Sequence, residues 1–482
     1  MKDSPELFGT PSNLLMDPVH GGIQFFDHEK AVIDHTLFQR LRYVIQNDVL
    51  FLVFPGATHS RFQHCVGTMH VAGKVFKHII RQYLTDAKNK QPIQLSDDQL
   101  KYIQYFLYCI RLAGLLHDAG HPPFSHEFEK AESIKKLFED KDVIASLWDD
   151  SGWGRYYGLI PDKITHEHYS VRCAYEILND IKIDERFNID PVDVLSIMET
   201  TTCLPSDRFI SFARQLLSMF IRNPNELKDT SDEIIAKSVQ DLFRAIISGE
   251  LDVDKMDYLL RDSYFTGSRY GVYNLDHLIS TLRVGFDLGE PWIGLAIVDK
   301  GIGPFEDFLS SRFQLYLHVY GHKTVFGFKY LLRNSINEIC SQKIVLENIR
   351  EHLSNIWKYG LFTDTFFWQA FRDYESSYPK SYTAAFVNRQ RLEHLYSEKD
   401  ISKLSRNKRL RQFKEQGREC IFVIAPATFS KIKKNETLRF LRRDPISGKR
   451  ELDEIKKQTK LFDRIQDTET THFYHDPMSK MV

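Results

Sequence analysis

Between Leu115 and Glu129 the chain reads LLHDAGHPPFSHEFE. His117 and Asp118 are adjacent, and His121 and His126 follow within one short segment. Imidazoles and a carboxylate so close together suit metal binding or proton transfer. Three other segments extend the pattern. SRFQHCVGTMHVAG carries His64 and His70, and THEHYS carries His166, Glu167 and His168. In LDVDKMDYLLRD, Asp254, Tyr258 and Asp262 are spaced i, i+4, i+8, which puts all of them on one helix face. Neutral imidazoles with carboxylates suit first-row divalent ions. A site with few protein ligands leaves coordination positions open for water and a phosphate oxygen.

These side chains need rigid supports. Phe106, Cys109, Ile110, Ala113 and Leu116 recur at helical spacing, so the His117-Asp118 pair is expected at the end of a buried helix. The chain reads as mainly helical. Residues 82–100 are polar and are expected to be a surface loop, with Ser96 a helix-cap candidate at its end. Residues 138–165 carry Gly, Pro and Trp without a clear period and are expected to form a loop near the site. Helices are expected from 167 to 285 and again to about residue 400. Two apolar runs, Ile293–Val298 and Glu419–Phe429, read as strands.

In order, His64, His117-Asp118 and Asp254 give H…HD…D. That order, with its flanking residues, resembles the HD-domain deoxynucleotide triphosphohydrolases: the bacterial dGTPase-like enzymes and the HD core of the animal SAM- and HD-domain dNTPase. The resembling segments are DPVHGGI (Asp17 to Ile23), FQRLRYVIQ (Phe38 to Gln46), VFPGATHSRFQH (Val53 to His64), LLHDAGHPPFSHEFE, ITHEH (Ile164 to His168) and DVDKMDYLLRDSYFTG (Asp252 to Gly267). SRFQLYLHVYGHK (Ser311 to Lys323) is a looser match. Together they cover roughly the first 330 residues.

The resemblance implies a mainly α fold, with an HD-type helical core over residues 1–335 and a smaller α+β C-terminal region over 336–482. It implies a divalent metal ion (manganese, iron, magnesium, nickel or zinc) held by His64, His117, Asp118 and Asp254. The implied reaction is hydrolysis of a deoxynucleoside triphosphate to deoxynucleoside and tripolyphosphate. His126 would be the acid that protonates the leaving 5′-oxygen, with Glu129 holding its proton. His121 and His166 would contact the α-phosphate, with Glu167 behind them. Arg61, Lys255, Arg312 and Tyr258 would bind the remaining phosphates. The deoxyribose would meet Gln46, Asp262 and Tyr320. One departure is Asn47, where the animal enzyme has leucine; an amide there can offer a partner to a 2′-hydroxyl and relax deoxy selectivity. The resemblance does not extend convincingly to the animal enzyme's allosteric nucleotide sites.

Composition agrees with such an enzyme. The 482 residues are 27% charged and 13% aromatic, with a formal net charge of -1, so the whole molecule is not a basic nucleic-acid binder. Cysteines 65, 109, 173, 203, 340 and 420 are scattered without CxxC, so reduced thiols and a cytoplasmic location are expected. The sequence has no signal peptide and no long apolar run, so no membrane partner is expected. A homo-oligomer is the expected assembly. Basic clusters at Lys403 to Lys414 and Lys431 to Arg443 leave nucleic acid as an alternative partner. They also keep open an alternative function: an HD-core phosphodiesterase or nuclease acting on nucleic-acid ends or another nucleotide.

Overall fold

The periodic run before His117 forms the helix Asp97–Leu116. Ser96 starts it with a reciprocal cap: its hydroxyl accepts from the Gln99 backbone N–H at 3.2 Å, and Gln99 Oε1 accepts from the Ser96 N–H at 2.9 Å. Two N–H groups without helical partners are thereby satisfied. Phe106, Cys109, Ile110, Ala113 and Leu116 are fully buried. They face the long helix Arg61–Lys88, which contributes Cys65, Val66 and Met69 to the same core. The helix Val253–Thr266 also packs on Arg61–Lys88. Asp252 caps its start, accepting from the Lys255 N–H at 2.8 Å. Gly267 ends it at φ +68°, a left-handed position that suits glycine.

This architecture comes from a computed structural model. It describes residues 5–88, 95–148, 160–199, 201–220, 230–287, 292–427, 438–443, 450–455 and 467–476, with isolated positions between them. Among the described residues the chain is mainly helical, with three small sheets. Asn13–Asp17 and Gly21–Phe25 form an antiparallel hairpin. Leu282–Asp287 pairs antiparallel with Trp292–Val298, which lies parallel to Arg439–Arg443, itself paired antiparallel with Arg450–Glu454. In the third sheet Thr468–His475 is the middle strand between Glu393–Lys399 and Cys420–Ala427. Among the described residues, no helix is long and apolar enough to cross a membrane.

Several expectations are corrected. The polar stretch from residue 82 is helical as far as Lys88, because Ile79, Ile80 and Leu84 continue the buried face; residues 89–94 lie outside the described residues. The stretch expected to be a loop over 138–165 contains the helix Lys141–Trp148, whose Val143, Ile144, Leu147 and Trp148 share a buried face. The helical run expected to 285 ends at Ser280, before the strand Leu282–Asp287; the run expected to about 400 breaks at Val387, with Glu393–Lys399 a strand ahead of the further helix Lys403–Glu415. The helix Lys323–Cys340 runs through position 335/336, so a division between an HD-type core and a C-terminal region stays an expectation.

One buried acid couples this core to pH. Asp193 is fully buried and accepts from the Tyr105 hydroxyl, the Ser206 N–H (2.7 Å) and the Ser206 hydroxyl (2.8 Å). Burial outweighs these bonds and pushes its carboxyl up to about 6. The native state therefore holds a proton that the unfolded chain releases near its ordinary value of 3.8. The associated stability is complete below that value and is lost as pH rises through about 6. The loss is at most about 3 kcal/mol. In urea unfolding between pH 4 and 7, Asp193→Asn should remove this decline. Parallel pH curves for the two proteins would contradict it.

Candidate active site

Three helices bring the expected ligands together. His64 lies in the first turn of Arg61–Lys88, His117-Asp118 follows Asp97–Leu116, and Asp254 lies in the first turn of Val253–Thr266. His64 Nε2 is 3.0 Å from Asp254 Oδ1 and 3.8 Å from Asp118 Oδ2. His117 Nε2 is 3.6 Å from Asp118 Oδ2 and 3.7 Å from Asp254 Oδ1.

The tautomers follow from the opposite ring nitrogens. His64 Nδ1 donates to Asp257 Oδ2 at 2.8 Å, and His117 Nδ1 donates to the Gly114 carbonyl at 2.8 Å. Each ring then turns an Nε2 lone pair inward, and both Nε2 atoms are buried with no hydrogen-bond partner among the described residues. Burial opposes protonation of His64, yet Asp254 and Asp257 push it up to about 10, so Nε2 attracts a proton, and a bound cation would take that proton's place on the lone pair. Burial also opposes ionisation of Asp118, but His121, His117 and Arg61 hold its carboxyl well below the usual range. Convergent lone pairs and ionised carboxylates in a site that attracts positive charge are a fitting donor set for a divalent cation.

A second histidine group adjoins it. The rings of His121 and His166 have centroids 4.2 Å apart, and His126 lies 5.2 Å from the first and 4.9 Å from the second. His121 Nδ1 is 3.1 Å from Asp118 Oδ1, which joins the two groups. Phe124 and Ser125, at φ 52° and 53°, turn the chain through the left-handed region just before His126. Two such residues in succession are strained. Asp364 braces them: its carboxylate accepts from the Phe124 N–H and the Ile45 N–H, both at 2.9 Å. The Tyr359 hydroxyl donates to the Gly120 carbonyl at 2.6 Å, and Arg40 donates to the Phe362 carbonyl at 3.0 Å. Gly120 itself has no room for a side chain, since a Cβ would stand 2.0 Å from the Ser170 nitrogen.

Glu129 lies between two of the histidines. Its carboxylate is 3.8 Å from His126 Nδ1 but accepts from the His166 backbone N–H at 2.9 Å and lies 3.0 Å from His166 Nδ1. His166 opens the helix His166–Asp180, and an opening N–H has no helical partner and attracts a carboxylate. Burial opposes charge on His166, but Glu129 raises its pKa. Glu167 Oε1 lies 3.3 Å from His166 Nε2.

The expected phosphate contacts already have protein partners. Arg61 is paired with Asp118 and donates to Ser125 Oγ at 2.9 Å and the Gln46 carbonyl at 3.3 Å. Lys255 Nζ reaches the Gly249 carbonyl at 2.7 Å and Asp252 at 2.5 Å. Tyr258 lies beside Arg312, whose guanidinium is 4.8 Å from the Tyr316 ring centroid. Of the residues expected at the sugar, Tyr320 donates its hydroxyl to Asp262. Gln46 Oε1 and Asn47 Nδ2 are buried with no partner among the described residues.

Sequence reasoning missed the network behind His64. Asp257 also meets His20 Nε2 at 2.6 Å and both ends of the Arg261 guanidinium, at 2.8 and 2.9 Å. Arg261 in turn holds Asp17 at 2.8 Å. A carboxylate behind a ligating histidine fixes its tautomer and orientation. Gly67 lets this network approach, because a Cβ there would stand 2.0 Å from Asp257 Oδ1. The available signals were Asp17 and His20 in DPVHGG and Asp257 one turn after Asp254.

The HD domain family model matches residues 61–147, the segment that carries His64, His117 and Asp118. The chain carries an HD domain over these residues. This HD-domain protein is 28% identical over 312 residues to the uncharacterized protein MJ1154 of Methanocaldococcus jannaschii, covering 65% of this chain and 46% of that one. It is 27% identical over 315 residues to the deoxynucleoside triphosphate triphosphohydrolase SAMHD1 of Homo sapiens, covering 64% and 42%. The uncharacterized protein YwfO of Bacillus subtilis is 24% identical over 396 residues, covering 79% and 71%. The matched part spans just under half the length of MJ1154 and SAMHD1. A crystal structure of a hypothetical protein from Aquifex aeolicus shares the fold with a TM-score of 0.65 and 23% identity, covering 96% of each chain.

Proposed function

We propose that this protein hydrolyses deoxynucleoside triphosphates to deoxynucleoside and tripolyphosphate. The observation that carries the reading is the pair of buried, partnerless Nε2 atoms of His64 and His117 facing Asp118 and Asp254, with three further histidines alongside. His64, His117, Asp118 and Asp254 would hold a divalent ion. When bound, such an ion supplies positive charge beside the α-phosphate and a water of lowered pKa. His121 and His166 bind the α-phosphate. His126, the most exposed of the three rings, donates its proton to the 5′-oxygen as that oxygen leaves; an alkoxide is otherwise a poor leaving group. Arg61, Lys255, Arg312 and Tyr258 neutralise and orient the outer phosphates, Arg through its planar fork and Lys as a point charge. Gln46 and Asp262 bind the 3′-hydroxyl, and Tyr320 crowds the 2′ side.

Turnover of the eight common NTPs and dNTPs with manganese and with magnesium, followed by product analysis, tests this reading. Tripolyphosphate release from dNTPs supports it. The helix Lys403–Glu415 favours a second reading, because it contains no buried residue and exposes Lys403, Lys408, Arg411 and Lys414. That reading is a phosphodiesterase or nuclease acting on nucleic-acid ends or another nucleotide. Nucleotide release from DNA or RNA, without tripolyphosphate, would replace the first reading by this one. Of the other basic cluster, 431–437 lies outside the described residues and Arg439–Arg443 is a strand.

Asn47 sets the sugar preference in this scheme. A leucine beside the sugar would leave a 2′-hydroxyl desolvated without a partner, costing about 1–3 kcal/mol. The Asn47 amide offers that partner, and Asn47→Leu should raise the ratio of kcat/KM for dGTP over GTP by roughly 5- to 100-fold. An unchanged ratio would show that Asn47 does not face the sugar.

A further inference from the structure

His59 has no role in the scheme above, yet it touches both groups assigned to the 3′-hydroxyl. Its ring is buried and stacked on Phe265, with centroids 4.6 Å apart and an interplanar angle of 20°. Nε2 is 2.7 Å from Asp262 Oδ1. The other oxygen of Asp262 accepts the Tyr320 hydroxyl. An ionised carboxylate only accepts, so Nε2 must be the donor. The His59 main chain serves the second group: its carbonyl accepts the Gln46 N–H at 3.0 Å. The isolated bridge between Ile45 and Ser60 clamps the two strands of chain at this point.

We propose that His59 is the positioning residue for the sugar end of the pocket. Through its ring it fixes the Asp262 carboxylate, and through its carbonyl it fixes Gln46. Asp262 Oδ2 then exchanges one hydroxyl for another: it bonds Tyr320 in the free protein and the sugar 3′-hydroxyl when substrate binds. The His59 bond to Oδ1 persists through the exchange, so the carboxylate does not turn away with its departing partner. Tyr320 ends a π-helical turn, Tyr316–Tyr320, a local irregularity often found at functional sites.

This inference rests on the triphosphohydrolase reading, and its test separates the two. Turnover of dGTP and of 2′,3′-dideoxy-GTP is measured with manganese in the wild type, in His59→Leu, which packs on Phe265 without a donor, and in His59→Gln, which keeps an N–H. The wild type should favour dGTP. In His59→Leu, kcat/KM for dGTP should fall on the order of 10-fold, chiefly through KM, while dideoxy-GTP changes by less than about 2-fold. His59→Gln should restore most of the preference. An equal loss on both substrates in a folded His59→Leu protein would overturn the assignment of His59 alone. If His59→Leu does not fold, loss of the preference in a folded His59→Gln protein has the same force. A wild type that hydrolyses no dNTP would instead remove the triphosphohydrolase reading, and this inference with it.

Discussion

His117→Ala is expected to empty the metal centre and abolish hydrolysis while leaving the fold intact. His117 Nδ1 is satisfied by the Gly114 carbonyl, and its Nε2 has no protein partner among the described residues. Its removal deletes a ligand, while Asp118 keeps Arg61 and Asp254 keeps His64 as partners. Asp118→Ala should lose the metal as well, but at a different structural cost. Asp118 is the carboxylate paired with Arg61 and it lies 3.1 Å from His121. Breaking a buried pair by removing one partner costs about 3–5 kcal/mol, so Asp118→Ala should melt well below His117→Ala. Elemental analysis, turnover and thermal unfolding of both variants check this. Full metal occupancy and activity in either would sink the ligand assignment.

His126→Asn should keep metal and substrate but lose roughly 10²- to 10⁴-fold in kcat, the usual contribution of a general acid. The side chain is 57% exposed, against 3% for His121 and 14% for His166. Losing it should therefore disturb the surrounding packing little. His121→Asn and His166→Asn should act differently: they remove groups that touch Asp118 or Glu129, so substrate binding should weaken together with rate. If His126→Asn turned over normally while either of the others was dead, the acid would have to be reassigned among the three.

The grouping of histidines and carboxylates around His117 and Asp118 was legible because its evidence is local. His117 and Asp118 are neighbours at the end of an amphipathic run, and a short motif survives without knowledge of the fold. The network behind His64 was not legible, because its bonds join residues 237 and 244 positions apart. Nothing in the spacing of DPVHGG says that its aspartate will meet Arg261. Glu129 was placed beside His126 because helical spacing makes them neighbours; its further contact, the His166 N–H, belongs to a helix that starts 37 positions on and left no signal. Strands divided along the same line. Cys420–Ala427 was recognised by its apolar run although it is an edge strand. Thr468–His475, the middle strand beside it, reads TETTHFYH and gives no such signal. The N-terminal hairpin was hidden for the opposite reason: Leu14 and Met16 are 63% and 74% exposed, so its alternation does not mark a buried face.

The reach of Asp364, Tyr359 and Phe362 into the histidine turns bears on how this protein can be recombined. A fragment limited to residues 61–147 would keep His64, His117 and Asp118, but it would lack Asp254 and the carboxylate that braces Phe124. A chimera with its crossover between Glu129 and Tyr359 would inherit the turn before His126 from one parent and the brace for that turn from the other. Shuffling between relatives should therefore tolerate exchanges beyond the helix Asp364–Ser377 better than exchanges before it, and the heritable unit of this active site is the stretch from the N-terminal hairpin to that helix.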